Sequence, residues 1–280
     1  MPAIINTNIN SLNAQRNAAA TQQQLSVALT RLSSGLRVNS AKDDAAGLAI
    51  AERLNAQVRG NNVAIRNAND GISLAQTAEG ALSKVTDALQ RMRELGVQAR
   101  NATNTDADKT SLDKEFGELA KEIQRVLGGT TFNGKAVLAT DAGAQTFQVG
   151  ANTTANDEVV ITTTDMAGDA DITTVTGAAI DNTSTTASLK TIIDNIDTAI
   201  NTVSAERATL GAAQNRFDAV ISNLQVSVEN QSSARSRIMD ADFAVETANL
   251  SRAQILQQAG NTMIAQANQL PQQVLSLLRG

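Results

Sequence analysis

The sequence predicts a mainly α fold, an elongated helical bundle or coiled coil built from both termini, with a small β-hairpin-rich segment at its centre. Near the carboxyl end Leu256, Met263, Leu270 and Leu277 recur every seven residues, and Ala267 and Val274 complete the four-three spacing of a coiled-coil seam. Leu189, Ile196, Val203, Leu210, Phe217 and Leu224 keep the same seven-residue step further upstream. Hydrophobic residues make up 42% of the chain but aromatics only 2%, so the core contacts must come from Ala, Leu, Ile and Val at close helix spacing.

The elements follow in order. Leu25, Leu29, Leu32 and Leu36 form a helical stripe, and Gly35 marks the end of that first helix. The run Asn39 to Asp44 is rich in turn and capping residues, and Asp43 and Asp44 suit the positive amino end of the helix that follows. Ala45, Leu48, Ala51 and Leu54 resume the stripe, which Ile72, Ala75, Ala78, Leu82, Val85, Leu89 and Met92 extend to about Ala99. After the polar break from Asn101 to Asp108, Leu112, Phe116, Leu119, Ile123 and Val126 mark a third helix stopped by Gly128 and Gly129.

The character then changes. Asn133-Gly134 is the signal of a tight hairpin, and Phe147–Val149 and Val159–Thr162 read as short strands. From Asp165 to Thr186 the chain is Thr, Asp, Ala and Gly with few apolar residues, which predicts an exposed, weakly packed excursion. Helix returns at Leu189, a polar stretch runs from Glu229 to Arg237, and the last helix begins near Asp240. The expected domains are residues 1–43 with 240–280, a terminal coiled-coil polymerisation domain, and 44–239, an elongated helical domain. Residues 128–187 form its β-rich, partly exposed central segment.

The terminal stripes point to assembly, not catalysis. Leu256, Met263, Leu270, Val274 and Leu277 are too few to offset the ordering of a lone arm, and Pro271 costs a helix about 3 kcal/mol. The arms are therefore expected to be disordered in a monomer and helical in an assembly. The net charge of -5 gives no footprint for nucleic acid and no attraction to an acidic membrane surface. There is no Cys for a disulfide or thiolate metal site, and no His for proton shuttling. Met1 to Ala20 lack the continuous apolar stretch of a cleaved secretory signal, and no run is long enough to span a membrane.

Several stretches resemble one family. Arg31-Leu32-Ser33-Ser34-Gly35-Leu36-Arg37-Val38-Asn39-Ser40-Ala41-Lys42-Asp43-Asp44-Ala45-Ala46-Gly47-Leu48-Ala49-Ile50 is similar to the amino-terminal signature of bacterial flagellins. At the other end Asp240–Ala244, Ser251–Gly260 and Gln266–Arg279 resemble the matching carboxyl signature. With Asn67–Ser73 and Thr131–Gly134, the likeness covers all but roughly residues 140–185. It implies a subunit of the helical flagellar filament, extracellular, serving swimming and exported through the flagellar channel without a cleaved signal. It also implies a polymerisation seam on Leu25, Leu29, Leu32, Leu36, Leu256, Met263, Leu270, Val274 and Leu277. The implied partners are further copies of the chain, an export chaperone on the carboxyl arm, and hook-junction and cap proteins. The outer variable domains of larger flagellins are missing or reduced to residues 140–185.

Gln90-Arg91-Met92-Arg93-Glu94-Leu95, with Glu115, resembles the patch through which an animal Toll-like receptor detects many flagellins, implying receptor contacts at Gln90, Arg91, Leu95 and Glu115. The residues alone read as a solvated helix face, and in a filament as packing and contact between subunits, of which receptor recognition would be a consequence. Gly96 stands where relatives commonly carry Ala. Gly129 to Lys135 satisfies G-x-x-x-x-G-K, but Ala136 replaces the required Ser or Thr and the segment joins a helix to a hairpin. Asp43-Asp44 and Asp240-Ala241-Asp242 could be drawn as metal ligands, but helix capping accounts for both. No catalytic, cofactor-binding or metal residues are assigned. The alternatives are a hook-filament junction protein, sharing the coiled-coil ends, and a cytoplasmic coiled-coil adaptor.

Overall fold

The computed structural model describes residues 7–279, with side chains through Gln269. The element order is α1 (Ile9–Ser34), α2 (Ala45–Ala99), α3 (Asp106–Gly129), β1 (Thr131–Phe132), β2 (Lys135–Ala136), β3 (Gly143–Gln148), β4 (Glu158–Thr163), α4 (Ala170–Thr176), α5 (Thr186–Met239) and α6 (Phe243–Arg279). The fold is mainly α with two small antiparallel hairpins. It divides into two compact units, one of residues up to Ala56 with those from Asn230, the other Gln57–Glu229. These divisions fall inside α2 and α5, whereas the sequence placed them at 43/44 and 239/240.

The helix ends are set by local chemistry. The side chain of Asn8 accepts the Ser11 N–H at 3.1 Å to start α1. Gly35 at φ +71° ends it by donating its N–H to the Arg31 carbonyl at 2.8 Å, a left-handed cap that glycine adopts without a Cβ penalty. Asp44 opens α2 by accepting the Gly47 N–H at 2.7 Å, and Asp242 opens α6 by accepting those of Ala244 and Val245. The carboxylate of Asp43 gathers the N–H groups of Ser40 and Asn39 and the Ser40 hydroxyl, and the Ser40 N–H above all holds its pKa below 3.8. These acids thus act as turn and helix caps.

In the first unit the turn after α1 meets the turn before α6. The N–H of Arg37 donates to the Met239 carbonyl at 2.6 Å and that of Ala241 to the Gly35 carbonyl at 2.9 Å. Val38, Ala51 and Met239 are buried beside this bridge, with Leu36, Leu48 and Ile238 around them.

The second unit holds the larger core. Leu82, Val85, Leu89, Met92 and Leu95 of α2 join Phe116, Ile123 and Leu127 of α3 and Leu189, Ile196, Val203, Leu210 and Phe217 of α5. The seven-residue step of α5 is therefore the core-facing line, and Leu224 is half-buried at its end. Thr105 and Asp108 form a capping box at the start of α3. Asn133 and Gly134, at φ +49° and +81°, make the turn between β1 and β2. In the β3–β4 hairpin Phe147 lies opposite Val159, and Val159, Ile161 and Thr163 alternate inward. Asn67 of α2 donates to the Gln148 carbonyl at 2.9 Å, fastening the hairpin to the helix.

The stretch from Asp165 to Thr186 departs from expectation. It is packed: Met166, Ile172, Val175 and Ile180 are all fully buried, and α4 forms within it under an Asp169 cap. The Met166 N–H donates to the Leu138 carbonyl at 3.0 Å, and the Ile180 N–H to the Asp113 carboxylate at 2.8 Å. Four anchors at irregular spacing give no stripe, yet each fills a site on the core. The polar stretch Glu229 to Arg237 likewise does not break the chain, because α5 continues through it to Met239.

Candidate assembly surface on the paired terminal helices

Helix α1 lies antiparallel to α6, with residues near 8 opposite 267 and residues near 31 opposite 246. From Ile9 to Thr30 only Ser11, Ala14, Ala18, Thr21, Leu25 and Ala28 are withdrawn from solvent, and Leu32 continues the line. On α6 the corresponding line is Glu246, Leu250, Ala253, Gln257, Gly260, Ile264 and Ala267. Both alternate three and four residues, the coiled-coil spacing. Small side chains dominate both lines, and a methyl placed on Gly260 would rest 3.6 Å from the Ala18 Cβ.

Polar bonds mark the pair along its length. Asn8 donates to the Ala267 carbonyl and the Ser11 hydroxyl to the Asn268 side chain, both at 2.7 Å. Gln257 donates to the Gln22 side chain, and Arg31 stands 3.7 Å from Glu246, which is buried.

This geometry places the sequence-assigned seam residues on different sides. Leu25 is buried between the helices, and Leu32 and Leu36 are half-buried. Leu29, Leu256 and Met263 are 50%, 46% and 63% exposed. At 3.6 residues per turn α1 meets α6 through Leu25 and Ala28, which turns Leu29 outward. On α6 the 256–263 line lies beside the 253–260 line that α1 covers, so α6 carries two stripes and only one is filled. The side chains of Leu270, Val274 and Leu277 lie outside the described ones. The α1-facing stripe was missed in the sequence because alanines and a glycine occupy it. Its sign was the repeat Glu246, Ala253, Gly260, Ala267.

Two grooves flank the pair. One, of about 540 Å³, is lined by Ala14, Ala18, Leu256, Gly260, Met263 and other residues of both helices. The second, of about 550 Å³, is more polar and runs past Val27, Arg31, Glu246 and Arg252. Among the described residues, ten of the fourteen exposed large apolar side chains belong to the first unit, including Ile9, Leu12, Phe243, Val245 and Ile255. That concentration exceeds the scatter of a finished surface.

On the second unit, Arg91 donates from Nε to Glu115 at 2.7 Å and from Nη1 to Glu94 at 2.8 Å. Glu115 first and Glu94 second raise its pKa. Gln90, Arg91 and Glu115 are exposed, but Leu95 is fully buried in the core and offers no surface to a receptor. It follows Leu89 and Met92 on the inward face of α2. Gly96 is also buried, and a Cβ there would meet Ile193 at 3.2 Å. The Gly129 to Lys135 segment leaves α3 and enters the β1–β2 hairpin, with no helix amino terminus after it to cradle phosphate. No helix of the described residues is long and apolar enough to cross a membrane.

Residues 5–142 match the family described as the bacterial flagellin N-terminal helical region, and residues 193–278 the bacterial flagellin C-terminal helical region. The chain belongs to the bacterial flagellin family. A flagellin of Halalkalibacterium halodurans is 45% identical over 276 residues, covering 99% of this chain and 100% of that one. Flagellins of Xenorhabdus nematophila and Bacillus subtilis are 43% and 42% identical, with 98% or more of both chains covered in each comparison. As a flagellin-family chain it is a structural subunit of the flagellar filament. Each family region takes in one of the two terminal helices, α1 in the first and α6 in the second.

Proposed function

We propose that the chain polymerises into the extracellular flagellar filament through residues 1–43 and 240–280, and that its role is structural, not catalytic. The supporting observation is the incompletely covered stripe on the paired ends: Leu29, Leu256 and Met263 are about half exposed or more beside the α1–α6 contact while Leu25 is buried in it. In this reading neighbouring copies cover the exposed stripe, with Leu270, Val274 and Leu277 continuing it. Burial of these side chains supplies about 1.5–3 kcal/mol each. Residues 44–239 form the body of the subunit. The remaining partners are an export chaperone on the carboxyl arm and hook-junction and cap proteins, and the filament serves swimming.

The test is truncation after Asn268. Full-length chain cooled from a heat-dissociated state should form uniform tubes in the electron microscope. The truncated chain should form none, while keeping the melting transition of the second unit. Tubes from the truncated chain would remove the terminal seam from the mechanism.

Recognition by an animal Toll-like receptor rests on Gln90, Arg91 and Glu115, which share one exposed, ion-paired patch. Arg91→Ala should weaken receptor signalling without lowering the melting temperature.

A further inference from the structure

Among the described methionines, Met92 and Met166 are fully buried and Met239 is 7% exposed, whereas Met263 is 63% exposed. Met263 also lines the groove beside the α1–α6 contact, with Leu256, Ala259 and Gly260 next to it and Asn13, Asn17 and Gln266 among its polar walls. A flexible thioether is thus presented to solvent in the surface that the assembly reading assigns to contact between subunits.

We propose that Met263 is a peroxide-sensitive control site on assembly, and this rests on the assembly reading above. The thioether sulfur gives an electron pair to one oxygen of hydrogen peroxide and the O–O bond breaks. The departing hydroxide takes up a proton as water. Sulfur is oxidised to the sulfoxide and peroxide is reduced to water. The sulfoxide is bulkier and far more polar than the thioether, and its S=O dipole must give up water when another subunit covers Leu256, Ala259 and Gly260 beside it, so that burial is disfavoured even with Asn13, Asn17 and Gln266 in the same groove. A free chain is therefore disarmed by peroxide. Once neighbouring copies cover the groove, the same sulfur is shielded, and a sulfoxide reductase acting on the free chain reverses the lesion.

The experiment compares full-length chain before and after limited hydrogen peroxide. Trypsin releases residues 253–279 as one peptide with a single methionine, so mass spectrometry reads Met263 alone. In dissociated chain the sulfoxide should appear there before it appears at Met92, Met166 or Met239, and more slowly in preformed filament. The critical concentration for polymerisation should rise about ten-fold, the factor carried by roughly 1.4 kcal/mol per subunit. Met263→Leu, whatever its own critical concentration, should show no change in that concentration with the peroxide dose, and a methionine sulfoxide reductase pair should restore the oxidised parent. Equal oxidation in chain and filament, normal polymerisation of chain oxidised at Met263, or continued peroxide sensitivity of Met263→Leu would each overturn the proposal. Failure of the untreated parent to polymerise would instead sink the assembly reading, and this inference with it.

Discussion

The rings of Phe147 and Phe217 meet edge to face, with centroids 5.5 Å apart and planes at 84°. One ring comes from β3 and the other from α5, so the contact locks the hairpin to the core-facing line of α5. Gly71 of α2 completes the site, because a Cβ there would lie 2.7 Å from the tip of the Phe217 ring.

Gly71→Ala should therefore push Phe217 off Phe147 and destabilise the second unit by about 1–3 kcal/mol, as overpacking does. Gly211→Ala provides the contrast, since nothing lies within 4 Å of its added Cβ in the middle of α5. That change should stabilise the chain by up to about 1 kcal/mol through helix propensity. Urea unfolding of both variants checks the pair, and equal shifts of one sign would contradict the packing argument.

Glu206 is a buried carboxylate that accepts the Thr164 N–H at 3.0 Å and the Thr164 hydroxyl at 2.8 Å. It clasps the end of β4 to α5. Glu206→Ala leaves that N–H without its acceptor and should cost about 1–3 kcal/mol. Glu206→Gln keeps a carbonyl acceptor and should cost less. Hydrogen exchange at Thr164 reads the clasp directly, and unchanged protection in Glu206→Ala would refute it.

Acid should loosen the caps together. The carboxylates of Asp43, Asp108, Asp157 and Asp181 all titrate below their ordinary 3.8, chiefly because N–H and hydroxyl donors of Ser40, Thr105, Thr154 and Thr183 respectively favour the charged form. A folded pKa below the unfolded one contributes stability that is complete above the unfolded value and disappears as pH falls through the folded value. With no His in the sequence, the melting temperature should be level between about pH 5 and 7 and decline below about 4. Circular dichroism melts across that range test this, and a step near pH 6 would show a different titrating group in control.

The two stripes on α6 can be separated by mutation. Leu256→Ser alters a side chain that the α1–α6 pairing leaves 46% exposed, so it should raise the critical concentration for polymerisation about ten-fold while leaving the second unit's melting unchanged. Gly260→Ala, with its methyl at ordinary contact distance from Ala18, should polymerise as the parent does. Sedimentation of cooled samples distinguishes the two, and a polymerisation defect confined to Gly260→Ala would reverse the roles assigned to the stripes.

Much of the fold was legible where punctuation and large side chains coincide. Gly35, Ala45 and Gly129 bound helices as their sequence context indicates, and the line from Leu189 to Phe217 is the buried face of α5. The segment from Asp165 to Thr186 was not legible, because Met166, Ile172, Val175 and Ile180 follow no helical or strand period. Leu95 shows another limit. Its place after Leu89 and Met92 on one apolar stripe marked it as core, against the contact that resemblance assigned to it. On α6 the leucine and methionine stripe drew attention away from the line that α1 occupies, since small residues signal proximity more faintly than large ones signal burial.

Among the described side chains, only Leu25, Leu32, Leu250 and Ile264 bring bulk to the α1–α6 seam, and the rest of it is alanine, glycine, serine, threonine and a few polar side chains. Peeling those two helices apart forfeits little dispersion energy, whereas separating α2 from α3 and α5 strips Phe116, Phe217 and several leucines at once. Tension on either tail should thus open the molecule in stages, the terminal pair first and the core of the second unit last.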